Sequence, residues 1–232
     1  MTVPLLLQRP LSAYFYKKDE PQRTEPSLIS IPSTPVCQAA LCYATERLPD
    51  WAVNHSIRTY AFGIVLAERA GWLQGEGTLA IDREALFLSA VMHELGMESE
   101  AEDCLLSLEF TGAIKARAFL LERSPDGNHD ERRLRYLADE TFEAIAMHSL
   151  ELRLTTGPIR LIPALTALGA EMDFKGTYAS DIHPEVIDMI NVKWPRLQYN
   201  ESLRALADEE VRRKPGCLFH AILPAIKKPE LA

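Results

Sequence analysis

Residues 51–66 read WAVNHSIRTYAFGIVL, and the spacing of this stretch decides the fold. A helix resuming near Trp51 would place His55, Arg58, Phe62, Val65 and Leu66 on one repeating face, with His55 and Arg58 one turn apart on the same side. The same period recurs on both sides of it. Upstream, a helix is predicted from about Val36 to Leu48, stopped by Pro49-Asp50. Downstream, Asp82 is a good N-cap for a helix whose face Leu86, Ser89, Ala90 and His93 runs to a stop at Gly96.

A further helix is predicted from Glu109 to about Leu121, where Ala113, Ala116 and Ala118 permit close packing, followed by a polar turn at Ser124-Pro125-Asp126-Gly127-Asn128 and a solvated His129. The next runs from about Glu131 to Leu150, with Leu134, Leu137, Thr141, Ile145 and His148 on its inner side. After Gly157-Pro158, a helix from Ile159 to Met172 carries Ile162, Leu165, Gly169 and then Asp173 down one side. Pro184 to Lys193 and Asn200 to Arg213 give two more, separated by Trp194-Pro195-Arg196. No alternating run bounded by hairpin dipeptides and no repeat is visible. The expected class is all-α, a helical bundle over residues 36–232. Residues 1–35, with prolines at 4, 10, 21, 26, 32 and 35, read as an extended arm that either wraps the bundle through Leu5, Leu6, Leu7, Tyr14 and Phe15 or stays flexible.

Composition narrows the function. A chain of 232 residues suits one continuous core. The net charge of -8 is spread along the sequence, and no Lys/Arg run interleaved with aromatics suggests a nucleic-acid groove. The four cysteines, Cys37, Cys42, Cys104 and Cys217, form no C-x-x-C pair and read as reduced thiols. The apolar run Val3 to Leu7 has no basic residue before it and is broken by Pro4 and Pro10, so neither a signal peptide nor a membrane span is expected. The expectation is a cytosolic protein acting on a small molecule, with a homo-oligomer compatible.

Chemistry concentrates at His55, His93-Glu94, His148 and Asp173, which fall on predicted helices and can be arranged around one divalent metal ion. His93-Glu94-Leu95-Gly96-Met97 begins like the H-E-x-x-H helix of zinc proteases, but Met97 stands where the second histidine must be. Asp173 continues an apolar stripe, where a buried carboxylate is costly unless paired or bound to a cation; as a C-terminal polar residue it could instead bond nearby amides. His148 has three readings, as a fourth ligand, a substrate-facing acid or base, or a core histidine. The second is preferred because imidazole transfers protons near pH 7. His183 precedes Pro184 in a loop-like stretch, which favours one metal over two.

An H-x-x-R on one helix, H-[D/E] ending a second and a lone Asp on a later one resembles the HD-domain superfamily of metal-dependent enzymes. The nearest resemblance is to its fungal cyanamide hydratase-like branch. The matching pieces, in order, are V-N-H-S-I-R at Val53 to Arg58, V-M-H-E-L-G at Val91 to Gly96, L-E-F-T-G-A at Leu108 to Ala113 and A-M-H-S at Ala146 to Ser149. They continue with M-D-F-K-G at Met172 to Gly176, W-P-R-L at Trp194 to Leu197 and R-K-P at Arg213 to Pro215, with His220 following. The resemblance implies a metal held by His55, His93 and Asp173 with Glu94 beside it, and water added to the nitrile carbon of cyanamide to give urea. His148 would donate the proton, and Glu94 would be a ligand or would orient the water. Imidazole and carboxylate suit zinc first, and iron or manganese as well.

One departure stands out: the family carries His-Asp where this chain has His93-Glu94, a carboxylate one methylene further from the backbone. Arg58, Glu109, Phe110 and Lys175 are candidates for contacting substrate, although Glu109 at a helix start is equally explained by the helix dipole. Three other readings follow from the resemblance. Most HD proteins are similar to phosphohydrolases, for which Arg58 and Lys175 are the available cations and no phosphate loop is present. Hydration of an isocyanide is a second, and a relic that binds without turnover is a third.

Overall fold

Helices α2 (Asp50–Arg69) and α6 (Leu161–Lys175) cross at the centre of the molecule. Their approach depends on two glycines. A Cβ built on Gly169 would fall 2.0 Å from the Thr59 carbonyl oxygen, and one on Gly63 would fall 3.1 Å from that of Leu165. Alanine at the first position would force the helices apart, so backbone-to-backbone contact is what sets the crossing. The all-α class stands: the computed structural model contains nine α-helices among the described residues, which are 6–7, 14–15, 19–21, 23–73, 81–98, 104–122, 130–149 and 159–226. Of the sequence expectations, Leu5, the 124–128 turn, His129, Leu150 and the Gly157-Pro158 break lie outside the described residues.

The helix ends follow local chemistry. α1 (Pro35–Arg47) starts with proline at its first position, where the missing N–H costs nothing. α3 (Arg83–Met92) is capped by the Asp82 side chain, which accepts from the Ala85 N–H at 3.1 Å. α3 ends four residues before Gly96, and a short 3-10 turn, Leu95–Met97, follows. Gly96 therefore does not end the helix by a left-handed turn. A Cβ there would fall 2.0 Å from the Leu108 carbonyl oxygen, so glycine admits the first turn of α4 (Leu108–Glu122). The approach continues at Gly112, where a Cβ would fall 3.0 Å from the Gly96 nitrogen and 3.4 Å from the His93 carbonyl oxygen.

α5 (Glu131–Met147) packs on α3, α4 and α6 and hands over to His148 at its C-cap. α7 (Pro184–Lys193) and α8 (Tyr199–Arg213) agree with the sequence, while α9 (Phe219–Ile226), which contains Pro224, was not expected. The buried side chains divide into two clusters. The larger draws on α1 through α7, and the smaller joins Leu108, Phe174, Tyr199, Leu203, Phe219 and Ile226.

The described parts of the N-terminal segment lie against the helices. Phe15 is buried beside Trp72 and Tyr178, and Ile29 is buried in a 3-10 turn at Pro26–Ile29. Arg69 holds Asp19, and the Thr24 hydroxyl donates to Glu68. Leu6–Leu7 (β1) pairs antiparallel with Ile159–Arg160 (β2), a two-residue ladder that fixes the approach to α6. The four cysteines form no disulfide, and burial pushes the Cys37 thiol up to about 11. No described helix is long and apolar enough to cross a membrane.

Candidate metal centre

His55 sits in the second turn of α2 on the face that meets α6. Its Nδ1 lies 2.6 Å from Asp173 Oδ2, and since a carboxylate can only accept, Nδ1 carries the proton. His93, at the C-cap of α3, is set the same way by a different partner. Its Nδ1 lies 2.7 Å from the Ala90 carbonyl oxygen, which also only accepts. In the neutral form of each ring this leaves Nε2 free to coordinate, and the two Nε2 atoms are 3.2 Å apart.

Glu94 completes the group from the turn after α3, with φ -92 and ψ 4, a sparsely populated backbone region common at active sites. Its Oε1 lies 3.5 Å from His55 Nε2 and 3.3 Å from His93 Nε2. Two lone pairs and a carboxylate oxygen, all buried, face one another. Without a cation among them this arrangement is repulsive. Tetrahedral coordination with bonds of about 2.0–2.1 Å puts ligand atoms roughly 3.3 Å apart, which matches the three edges. His55, His93 and Glu94 thus form a group able to hold a metal ion.

The electrostatics point the same way. Burial works against charge on His93, but the Glu94 carboxylate beside it outweighs this and raises its pKa. Burial likewise opposes ionisation of Glu94, and His93 and His55 overcome it, holding the carboxyl down at about 2. His55 is lowered, because burial prevails over Asp173. Glu94 is therefore ionised and faces the two imidazoles.

Asp173, expected from the sequence as a ligand, stands behind His55, outside the converging trio. Oδ2 accepts from His55 Nδ1 and Arg58 Nη2 (2.8 Å), and Oδ1 accepts from Arg58 Nε (2.7 Å) and Arg196 Nη1 (3.0 Å). Four donors fill the lone-pair capacity of a carboxylate. Arg58 is buried here and also donates from Nη1 to the Trp194 and Pro195 carbonyls, so it does not reach the cavity. Burial alone would raise the Asp173 pKa; His55 and Arg58 hold it well below the usual carboxylate range.

The cavity in front of the trio is lined by His55, Glu94, Glu109, His148, Ser149 and Lys175, with Tyr199 and several apolar residues. His148 donates from Nδ1 to the Ile145 carbonyl at 2.7 Å, and its ring packs edge-on to His93 with centroids 4.9 Å apart. Glu109 is buried and accepts from the Ser149 hydroxyl, and its desolvation raises its pKa. Phe110 points outward, 38% exposed, and is not in the lining. His220 is exposed.

Two yeast cyanamide hydratases resemble this chain. These proteins, DDI2 and DDI3 of Saccharomyces cerevisiae, are each 25% identical to it over 193 residues, spanning 82% of this chain and 78% of the relative. That is a distant relatedness. No protein-family model matches the chain, so the likeness to the HD-domain superfamily remains one of motifs.

Sequence reasoning missed three residues here. Tyr199 stacks on His55 with ring centroids 4.5 Å apart, Arg196 braces Asp173, and Ser149 anchors Glu109. Arg196 and Ser149 lie inside motifs quoted above. Nothing in the local sequence marks Tyr199.

Proposed function

We propose that this chain is a metal-dependent hydratase that adds water across a carbon–nitrogen triple bond, with cyanamide to urea as the reference reaction. The observation that carries this reading is the triangle of His55 Nε2, His93 Nε2 and Glu94 Oε1, with edges of 3.2–3.5 Å, opening onto a cavity. The distant likeness to the yeast cyanamide hydratases supports the choice of reaction.

A divalent ion bound there would supply Lewis acidity, lowering the pKa of water towards neutrality. The chain's own groups do the rest. Asp173 and the Ala90 carbonyl fix the tautomers of His55 and His93, as carboxylates and carbonyls do for histidine ligands generally. In the reaction, the water oxygen bonds to the nitrile carbon, both carbon–nitrogen π bonds of the triple bond break, a carbon–oxygen double bond forms, and both water protons finish on the terminal nitrogen. No leaving group departs. His148, on the cavity wall, delivers the proton to the nitrogen as its negative charge develops. Arg58, buried in its bonds to Asp173 and two carbonyls, takes the role of positioning residue rather than substrate contact.

Glu94 reaches the centre despite its extra methylene because it projects from a turn and not from the helix. Zinc is the first ion to test, followed by iron and manganese. Urea released from cyanamide by the purified protein is the expected result. No urea from protein carrying a stoichiometric metal would overturn the reading.

A further inference from the structure

The cavity is two-sided. His55, Glu94, Glu109, His148 and Ser149 line it from α2, α4 and the turns that end α3 and α5. Leu108, Ala170, Phe174, Leu203, Phe219 and Ile222 line it from α4, α6, α8 and α9, where Glu171 and Lys175 of α6 also reach the lining. Leu108, Phe174, Leu203 and Phe219 belong to one contiguous apolar cluster, and Ile222 packs against it. Cyanamide, three heavy atoms and polar throughout, has no apolar group to set against the side formed by Leu108, Ala170, Phe174, Leu203, Phe219 and Ile222. Water against the apolar wall lacks the two to four polar partners that would hold it, so an apolar group displaces it favourably.

We propose that the substrate of this site carries an apolar substituent of several carbons on the nitrile-bearing group, which lies against the wall formed by Phe174, Leu203, Phe219 and Ile222. This rests on the hydratase reading above. The triple bond faces the histidines, and the substituent sets orientation and affinity. For an N-alkylcyanamide the water oxygen joins the nitrile carbon, both π bonds of the triple bond break, a carbon–oxygen double bond forms, and both water protons pass to the terminal nitrogen. The product is the N-alkylurea, with no further reactant.

The test is a calorimetric titration of the metal-loaded full chain with cyanamide and its N-methyl, N-ethyl, N-propyl and N-butyl derivatives, with ureas quantified in parallel. Each buried methylene contributes about 0.8 kcal/mol, so affinity should rise about fourfold per added carbon until the wall is covered. Ile222→Trp and Leu203→Trp, which fill the apolar side, should each flatten the series. An affinity that stays level or falls with chain length overturns the substituent, and if cyanamide is still hydrated the hydratase reading survives. A rising series without any urea product overturns the hydratase reading and leaves the apolar ligand class standing. Neither binding nor product overturns both.

Discussion

His55 Nδ1 and Asp173 Oδ2 lie 2.6 Å apart where α2 crosses α6, joining residues 118 positions distant in the chain. The bond ties the aim of a candidate ligand to the buried ion pair between Asp173 and Arg58. Asp173→Asn would leave Arg58 buried with its charge unpaired, a loss of roughly 3–5 kcal/mol. It would also loosen the His55 ring, lowering metal affinity by about 10- to 100-fold. The folded-state pKa of Asp173 is depressed, so its stabilising effect is fully present above the ordinary carboxylate value of about 3.9 and is lost as pH falls through the folded value. Denaturant melts should therefore show the largest gap between wild type and variant near neutrality, narrowing in strong acid.

Gly169→Ala tests whether the helix crossing sets the site. The new methyl group would meet the Thr59 carbonyl, and the helices must separate to relieve it. Overpacking of this kind typically costs about 1–3 kcal/mol. Because His55 and Asp173 sit on the two helices that move, metal affinity should fall together with the melting temperature. A variant that loses stability and keeps full metal affinity would show that the site is indifferent to the crossing.

His148→Asn separates proton transfer from metal binding. With His148 outside the converging trio, the variant should retain the wild-type metal content. Urea formation should drop by about 10²- to 10⁴-fold, the usual contribution of a positioned acid or base. Loss of metal in this variant would reassign His148 as a ligand.

Glu94→Gln keeps the length of the arm and one oxygen while removing the charge. The two bare imidazole nitrogens then face a neutral amide, and metal affinity should fall at least tenfold by competition titration against a chelator. Unchanged affinity would place Glu94 outside the coordination sphere.

Much of the fold was legible because periodicity and caps are local signals. Asp82 announces α3, and the face from His55 to Leu66 announces α2. What was hidden is what depends on partners far along the chain. Gly96 looked like a helix stop and is instead a gap through which α4 approaches. α9 is short and contains Pro224, so it carries little helical signature. The Leu6–Leu7 pairing with Ile159–Arg160 has no local trace at all. The site divides in the same way. His55 and His93 were expected as ligands with Glu94 beside them, and the three converge; Asp173, expected as a third ligand, instead accepts from His55 Nδ1. The sequence could not say that Arg58 turns away from the cavity to hold Asp173, because that depends on the Trp194 and Pro195 carbonyls behind it.

The most direct measurement is elemental analysis of the protein purified without added metal, beside a His93→Ala variant made the same way. About one transition-metal ion per chain is expected in the wild type, falling close to background in the variant. A wild-type protein that folds but carries no metal and takes none up on titration, or a variant that retains full occupancy, would contradict a metal centre at His55, His93 and Glu94.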